Sequence, residues 1–182
     1  MADAKPVKPV ILVFRTMPPT SEELAYIEQV NPVGFLLFAK ELKGPVSPLS
    51  VKRDIETRLN RKVYFFADQE GGTVNQLPGS YPSAAAFQKM YAEHPEKAVS
   101  SMRQTAFEMG TALKQKGVDA VFAPVLDVSA SNLTAGETDF LKNRTFGTDP
   151  ETVSILAGAF IDGMTQAGIQ TCPKHAPGIG RS

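Results

Sequence analysis

The chain has 182 residues, of which 42% are hydrophobic and 21% are charged, a composition typical of a globular domain with one apolar core. Lysine plus arginine and aspartate plus glutamate both number 19, so no net field attracts nucleic acid or an anionic membrane, and we expect a small or neutral ligand. The one cysteine, Cys172, excludes an internal disulfide and argues against a cysteine-based zinc site.

The beginning of the chain contains one apolar run, from Val10 to Phe14. This run is too short for the apolar region of a secretory signal and far too short to span a bilayer. We therefore expect a cytoplasmic protein that has no contact with the membrane.

Five apolar runs predict strands of a parallel sheet. Each run is largely apolar without strict alternation, which is typical of a strand buried on both faces. The predicted strands span residues 10–14, 34–38, 63–67, 118–123 and 169–172.

Helical patterns lie between these runs and have recognisable ends. Capping boxes are predicted where Thr20 is followed by Glu23 and where Thr148 is followed by Glu151, and Pro48 fits the first position of another helix. The predicted helices span about 20–30, 47–59, 98–113 and 150–164. Strands that alternate with helices leave two architectures, an open doubly wound sheet or a (β/α)₈ barrel, and both bind ligands at the carboxyl ends of their strands.

Polar residues follow the third predicted strand directly, in the segment 68–72, which reads Asp-Gln-Glu-Gly-Gly. Asp68 could face a ligand there, and the paired glycines would let the backbone approach it closely or take positive φ. The alternative is an ordinary turn. Glu70 could pair with Asp68 as an acid and a base, but neighbours at a strand end usually point in different directions, so we assign Glu70 no catalytic role.

Lys174 and His175 follow the fifth predicted strand in the same relation, and Arg144 precedes the last helix. These side chains could bind hydroxyl or carbonyl groups in the cleft at the strand ends. Alternatively, they are a surface lysine, a histidine bonded to a neighbouring loop and an arginine paired with a carboxylate at the rim. For Asp127 we expect hydrogen bonds to backbone amides of a long loop.

Taken together, the motifs resemble glycoside hydrolase family 3, specifically its bacterial β-N-acetylhexosaminidase branch. They occur in the family's order and cover nearly the whole chain. The matching segments are Gly34-Phe35-Leu36-Leu37-Phe38, Asp68-Gln69-Glu70-Gly71-Gly72, Phe122-Ala123-Pro124-Val125-Leu126-Asp127-Val128, Asn143-Arg144-Thr145-Phe146-Gly147 and Lys174-His175-Ala176-Pro177-Gly178.

The resemblance implies a (β/α)₈ barrel of which about five βα units are present, with residues 1–182 as the N-terminal portion of a single barrel domain. It implies an enzyme that removes terminal β-linked N-acetylglucosamine, typically from peptidoglycan fragments recycled in the cytoplasm. Asp68, Arg144, Lys174 and His175 would bind the sugar. No metal or organic cofactor is implied.

The resemblance also implies a retaining mechanism, with an aspartate nucleophile and a histidine acid/base that both follow the lysine–histidine segment. No residue up to Ser182 matches either group, so we expect both beyond it and expect the chain alone to be inactive. Two positions depart from the family pattern. Gln76 stands where the family usually has a substrate-binding arginine, and Ile179 stands where it commonly has a histidine.

Two other functions stay open at this point. Five strands would leave two sheet edges unpaired, so the chain could be a truncated, non-catalytic sugar-binding module that self-associates through these edges. A β-glucosidase of the same superfamily is the second alternative, although the segment at Asp68 favours the hexosaminidase branch.

Overall fold

The computed structural model describes residues 5–129, 141 and 143–179. Within these ranges, five strands form one parallel sheet in the order β1-β2-β3-β4-β5. In chain order, the elements are β1 (Lys8–Val13), α1 (Ser21–Val30), β2 (Pro32–Leu37), α2 (Ala39–Leu42), α3 (Pro48–Leu59), β3 (Tyr64–Ala67), α4 (Ala84–Glu93), α5 (Pro95–Gln115), β4 (Ala120–Val121), α6 (Pro150–Gln166) and β5 (Gln170–Thr171). The fold is α/β, and the described strands form part of a TIM-type barrel without closing it.

The predicted strands and helices are all present, but some bounds differ. The prediction missed α2 and α4. Strand β4 is shorter than the predicted 118–123, because Pro124 lacks the N–H that would continue the ladder. Pairing resumes beyond the proline, where Val125 is bridged to Lys174.

One predicted capping box is half right and the other is wrong. Thr20 accepts a hydrogen bond from the N–H of Glu23, but the Glu23 carboxylate accepts from the N–H of Arg15 at 2.9 Å instead of returning to Thr20. The N-cap of α6 is Asp149, not Thr148, because the carboxylate of Asp149 accepts from two N–H groups of the first turn.

One face of the sheet packs against the helices. Phe14 and Phe35 stack with their ring centroids 4.6 Å apart, and Phe65 meets both rings edge-on. We call the opposite face the open face; it carries Val13 and Tyr64, which are exposed by 54% and 47%. The open face is the side that lines the interior when such a sheet closes into a barrel.

The register of the sheet aligns the strand ends. Leu37 lies beside Ala67, Ala67 beside Val121, and Val121 beside Thr171. Because the strands are parallel, the residues that follow each of these positions meet at one edge of the sheet. This alignment brings the segments after β3, β4 and β5 together.

The amino ends of the strands carry a different polar cluster. Asp119 Oδ2 accepts from Lys52 Nζ at 2.6 Å and from the N–H of Phe65 at 2.7 Å. Lys52 is buried, and it also donates to the carbonyl of Gly117 at 3.0 Å. This cluster joins α3 to two strands. It lies at the amino ends of the strands, where the residues of a barrel usually contribute to stability and not to the active site.

The first strand lies at an open edge. Among the described residues, β1 pairs only with β2, and β5 pairs only with β4. A continuous apolar run predicted a strand buried on both faces, but the side chains of β1 are mostly exposed because nothing in the described part of the chain covers them. A cavity of about 500 Å³ lies between β1 and α1. None of the helices in the described ranges is long and apolar enough to cross a membrane.

Helices α5 and α6 pack closely because of glycines. A Cβ at Gly163 would lie 2.2 Å from the carbonyl oxygen of Arg103 and 2.8 Å from the Cβ of Ala106. A Cβ at Gly158, on the same helix, would meet nothing within 4 Å. Of these two positions, only 163 therefore requires glycine for packing.

We expect opposite effects from alanine at these two positions. Gly163→Ala should lower the free energy of unfolding by about 1–3 kcal/mol, since backbone must move. Gly158→Ala should raise it by up to about 1 kcal/mol, because alanine favours helix more than glycine does. Urea unfolding followed by circular dichroism measures both; equal stability of the two variants would contradict the packing described here.

Candidate functional site

The site begins where β3 and β5 end. Asp68 lies two residues after Phe66, and Phe66 pairs with Leu36 on the open face. Since side chains alternate along a strand, Asp68 projects on the open side. Lys174 is held at the same edge, because its N–H donates to the carbonyl of Pro124 at 3.0 Å and its own carbonyl accepts from Leu126 at 2.6 Å.

The ammonium group of Lys174 lies between two carboxylates. Its Nζ atom is 2.6 Å from Asp68 Oδ1 and 2.6 Å from Glu70 Oε1. An ammonium has three N–H donors, and these contacts use two of them. Within the described residues, the third donor of Lys174 has no recorded partner and is available to a ligand.

Glu70 is the common partner of both cations. Arg144 donates to it twice, from Nε to Oε2 and from Nη2 to Oε1, each at 2.8 Å. The side chains of Glu70, Arg144 and Lys174 are exposed by only 6%, 11% and 16%. The carboxylate of Glu70 therefore fixes the position of two cations inside a mostly desolvated cluster.

The position of Glu70 corrects the sequence prediction that Asp68 and Glu70 point in different directions. Both carboxylates reach the same Lys174 ammonium. The physical reason is the period of extended backbone, in which adjacent residues point to opposite sides but residues two apart point to the same side. That spacing was the signal in the sequence that could have placed Glu70 in the site.

Electrostatics agree with this arrangement. Burial acts to raise the pKa of Glu70, but the hydrogen bonds and charges of Arg144 and Lys174 outweigh it, and the net pKa is lowered. The hydrogen bond to Glu70 raises the pKa of Arg144 against the effect of burial, and the charges of Asp68 and Asp127 add to the increase. All three carboxylates thus act on the one guanidinium.

Gly71 and Gly72 serve the fold of the loop that carries the site. Both have positive φ, of 92° and 57°. A Cβ at Gly71 would lie 2.5 Å from the carbonyl oxygen of Pro82, and a Cβ at Gly72 would lie 2.7 Å from the Cβ of Ser83. The positive φ that we expected is present, and the close approach is to the chain's own segment at 82–83.

Gln76, one of the two departures from the family pattern, binds within the protein. Its Oε1 atom accepts from the N–H of Ala39 at 2.8 Å, and its own N–H donates to Gln69 Oε1 at 2.8 Å. Gln69 is fully buried. The Gln76 amide therefore ties the loop after β3 to the start of α2, which follows β2.

Asp127 and His175 form the second part of the site. Asp127 Oδ2 lies 2.6 Å from His175 Nδ1 and accepts from the backbone N–H of His175 at 3.2 Å, while Oδ1 accepts from the N–H of Ile179 at 2.7 Å. The expected bonding of Asp127 to backbone amides is confirmed. Its contact with the imidazole was not predicted, because no spacing in the sequence links positions 48 residues apart.

The four residues predicted to bind substrate therefore lie along one edge. Lys174 touches Asp68 directly and is joined to Arg144 through Glu70, while His175 follows Lys174 and rests on Asp127. The prediction missed the two carboxylates that hold them. Within the described ranges, no group of three or more histidine, cysteine, aspartate or glutamate side chains is placed to hold a metal ion.

A parallel sheet whose strands follow one another in chain order, flanked by helices, is the arrangement of a partial (β/α)-barrel, and charged side chains gather at the carboxyl ends of its strands. The chain belongs to glycosyl hydrolase family 3: residues 10–182 match the model described as the Glycosyl hydrolase family 3 N terminal domain.

Relatives with curated names agree with this assignment. A β-hexosaminidase of Actinobacillus succinogenes (strain ATCC 55618 / DSM 22257 / CCUG 43843 / 130Z) is 31% identical over 161 residues, which are 87% of this chain and 45% of that protein. One of Actinobacillus pleuropneumoniae serotype 5b (strain L20) is 30% identical over 163 residues, 88% of this chain and 46% of that protein. The chain spans about half the length of the curated relatives it matches.

Solved structures show the same fold. NagZ from Neisseria gonorrhoeae, in complex with N-trifluoroacetyl-D-glucosamine, superposes with a TM-score of 0.85 at 26% identity, covering 97% of this chain and 52% of that chain. The β-N-acetylhexosaminidase of Beutenbergia cavernae DSM 12333 superposes with a TM-score of 0.69 at 24% identity, covering 94% of this chain and 52% of that chain. The five strands described here thus correspond to about half of a longer protein in each case.

The lowered pKa of Glu70 predicts an acid-sensitive contribution to stability. A carboxyl whose pKa is lowered by folding stabilises the folded state above its unfolded pKa, and that stabilisation is lost as the pH falls through the lower, folded pKa. Glu70→Gln should therefore lower the free energy of unfolding by about 3–5 kcal/mol at neutral pH, and the difference from wild type should shrink on acidification.

Urea unfolding between neutral and acidic pH measures this difference. Glu93→Gln is the control, since Glu93 is exposed at the end of α4 and forms no ion pair with another described residue. A wild-type and Glu70→Gln difference that is the same at every pH would contradict the ion-pair account.

Proposed function

We propose that the full-length protein hydrolyses terminal β-linked N-acetylglucosamine from glycans and that this chain supplies half of its sugar pocket. The observation that carries the proposal is the cluster in which Glu70 and Asp68 hold the Lys174 ammonium at the strand ends of a family 3 domain. Relatives named β-hexosaminidase and a NagZ complex with a glucosamine derivative support the choice of sugar.

Asp68, Lys174, His175 and Arg144 are the residues proposed to bind the sugar. Asp68 Oδ1 is bound to Lys174, and Oδ2 has no recorded partner in the described part of the chain, so that oxygen can accept from a sugar hydroxyl. The third N–H of Lys174 can donate to a hydroxyl oxygen. A hydroxyl donates one hydrogen bond and accepts others, so alternating acceptors and donors suit adjacent hydroxyls of a pyranose ring. Arg144 lies within the same charged cluster.

The proposal also includes the catalytic groups that break the glycosidic bond. We propose a retaining mechanism in the full protein, with an aspartate nucleophile and a histidine acid/base that follow Ser182, a residue outside the described ranges. In this proposal, residues 1–182 are the N-terminal portion of a single barrel domain. The exposed side chains of β1 and the half-length match to relatives support it.

The biological setting is a proposal of the same kind. Peptidoglycan fragments are rich in N-acetylglucosamine, and we propose their recycling in the cytoplasm as the physiological reaction. The equal numbers of acidic and basic residues fit a neutral sugar, and the one cysteine fits a reducing compartment.

One structural observation favours a second candidate. The β1 edge presents Val10, Ile11 and Val13 to solvent, with exposures of 39%, 40% and 54%. An unpaired apolar edge can pair with another chain. A truncated sugar-binding module that self-associates through β1 would bury the same residues, and it would elute as a discrete dimer in size-exclusion chromatography with light scattering.

We expect the full gene product to release 4-nitrophenol from 4-nitrophenyl N-acetyl-β-glucosaminide, and we expect residues 1–182 alone to release none. The reason is that the nucleophile and the acid/base are proposed to follow Ser182. The corresponding glucoside should be a poor substrate, which distinguishes a β-glucosidase. Turnover by residues 1–182 alone would contradict the proposed division of the site.

In the full protein, Asp68→Ala should lower kcat/KM by about 10- to 150-fold, the loss expected for a hydrogen bond to a charged group that strengthens in the transition state. Asp54→Ala is the control, because Asp54 lies on α3 and pairs with the exposed Arg58. Equal kcat/KM for wild type and Asp68→Ala would remove Asp68 from the sugar site.

A further inference from the structure

The carboxylate of Asp127 is buried and accepts several hydrogen bonds within the protein. Its side chain is only 2% exposed, and it is in contact with three N atoms: the backbone N–H of His175, the backbone N–H of Ile179 and Nδ1 of His175. Two of these partners are backbone donors, so Asp127 fixes the course of the chain from 175 to 179. The third contact reaches the imidazole ring.

This contact determines where the ring proton lies. Burial acts to raise the pKa of Asp127, but the hydrogen bonds from the His175 ring and from the Ile179 N–H outweigh it, and the net pKa is lowered, so the group is a carboxylate. A carboxylate oxygen can only accept hydrogen bonds. At 2.6 Å from Oδ2, Nδ1 must therefore be the protonated nitrogen of the ring.

The other ring nitrogen is left open. No partner is recorded for Nε2 of His175 within the described ranges, and no buried side-chain nitrogen or oxygen of those residues lacks a partner. Nε2 is therefore accessible to solvent, and the side chain as a whole is 25% exposed. In the neutral ring, the lone pair lies on Nε2, which makes that atom a hydrogen-bond acceptor.

We propose that Asp127 is a positioning residue, which fixes the Nδ1–H tautomer of His175 so that Nε2 accepts a hydrogen bond from a hydroxyl of the sugar. This inference rests on the proposed sugar-binding role of His175. The proposed site then offers two acceptors, Asp68 Oδ2 and His175 Nε2, besides the third N–H donor of Lys174. The arrangement selects ligands with hydroxyl donors, since the open faces of Asp68 and His175 offer lone pairs only.

The tautomer is measured directly by long-range ¹H–¹⁵N correlation NMR of the full gene product, recorded over a pH series until the neutral ring form is reached. The ¹⁵N shift distinguishes a protonated ring nitrogen from a bare one. His175→Gln assigns the His175 signals, and His94, exposed between α4 and α5, provides an internal comparison. We expect neutral His175 to carry its proton on Nδ1; a proton on Nε2 in wild type would overturn the proposal.

Asp127→Asn tests the cause. The amide should release the ring to a mixture or to the Nε2–H tautomer, while Asp68→Asn, a second carboxylate change in the site that does not touch the ring, should leave the Nδ1–H tautomer in place. An unchanged tautomer in Asp127→Asn would overturn the assignment of Asp127.

Enzyme kinetics test whether the His175 tautomer contributes to recognition of the sugar. With 4-nitrophenyl N-acetyl-β-glucosaminide, Asp127→Asn should raise KM about 3- to 10-fold, the range expected for one neutral hydrogen bond, with a smaller change in kcat. An unchanged KM alongside a changed tautomer would overturn the recognition role. Absence of turnover in wild type would instead contradict the proposed function, and the NMR result would stand independently of it.

Discussion

The site depends on the burial of one carboxylate between two cations. Glu70 accepts two hydrogen bonds from Arg144 and lies 2.6 Å from the ammonium of Lys174, and all three side chains are largely withdrawn from solvent. Charges taken out of water are tolerated only when they are paired in good geometry. Because Glu70 binds both cations, any movement of its carboxylate disrupts contacts to Arg144 and Lys174 at once.

The sheet provides the geometry that makes this pairing possible. Parallel register aligns the ends of β3, β4 and β5, and the bridge from Val125 to Lys174 extends the alignment beyond the strands. Residues 106 positions apart, Asp68 and Lys174, thereby meet at 2.6 Å. At the opposite end of the sheet, Lys52 and Asp119 form a cluster that joins α3 to the strands. The candidate site and this supporting cluster thus lie at opposite ends of the sheet, as is usual in barrels.

The strands and most of the helices could be predicted from the sequence, because hydrophobic runs and helix ends are local signals. The parallel strands followed from continuous apolar runs, and four of the helices followed from their periodicity and end signals. The sequence did not show which of several possible partners a capping side chain would bind. The spacing of Glu23 from Thr20 predicted a capping role, but the Glu23 carboxylate binds the N–H of Arg15. In α6, Asp149 is the N-cap in place of the predicted Thr148.

The site shows the same division between local and distant information. Asp68, Lys174, His175 and Arg144 were recognisable because they follow strands or precede a helix in the order of a known family. Glu70 could have been placed in the site from its two-residue spacing from Asp68, whereas the contact of Asp127 with the His175 ring depends on a partner 48 residues away. The consequence of glutamine at position 76 could not be predicted from the sequence, and the structure shows that Gln76 accepts from the N–H of Ala39.

In the proposed site, residues that touch the sugar are separate from those that hold them in place. A crystal structure of the full gene product with bound N-acetylglucosamine tests that separation most directly. We expect sugar hydroxyls within about 3 Å of Asp68, Lys174 and His175, with Glu70 still bound to Arg144 and Lys174 and in no contact with the sugar. A sugar bound away from these strand ends, or a Glu70 that has left both cations to contact the ligand, would contradict the account.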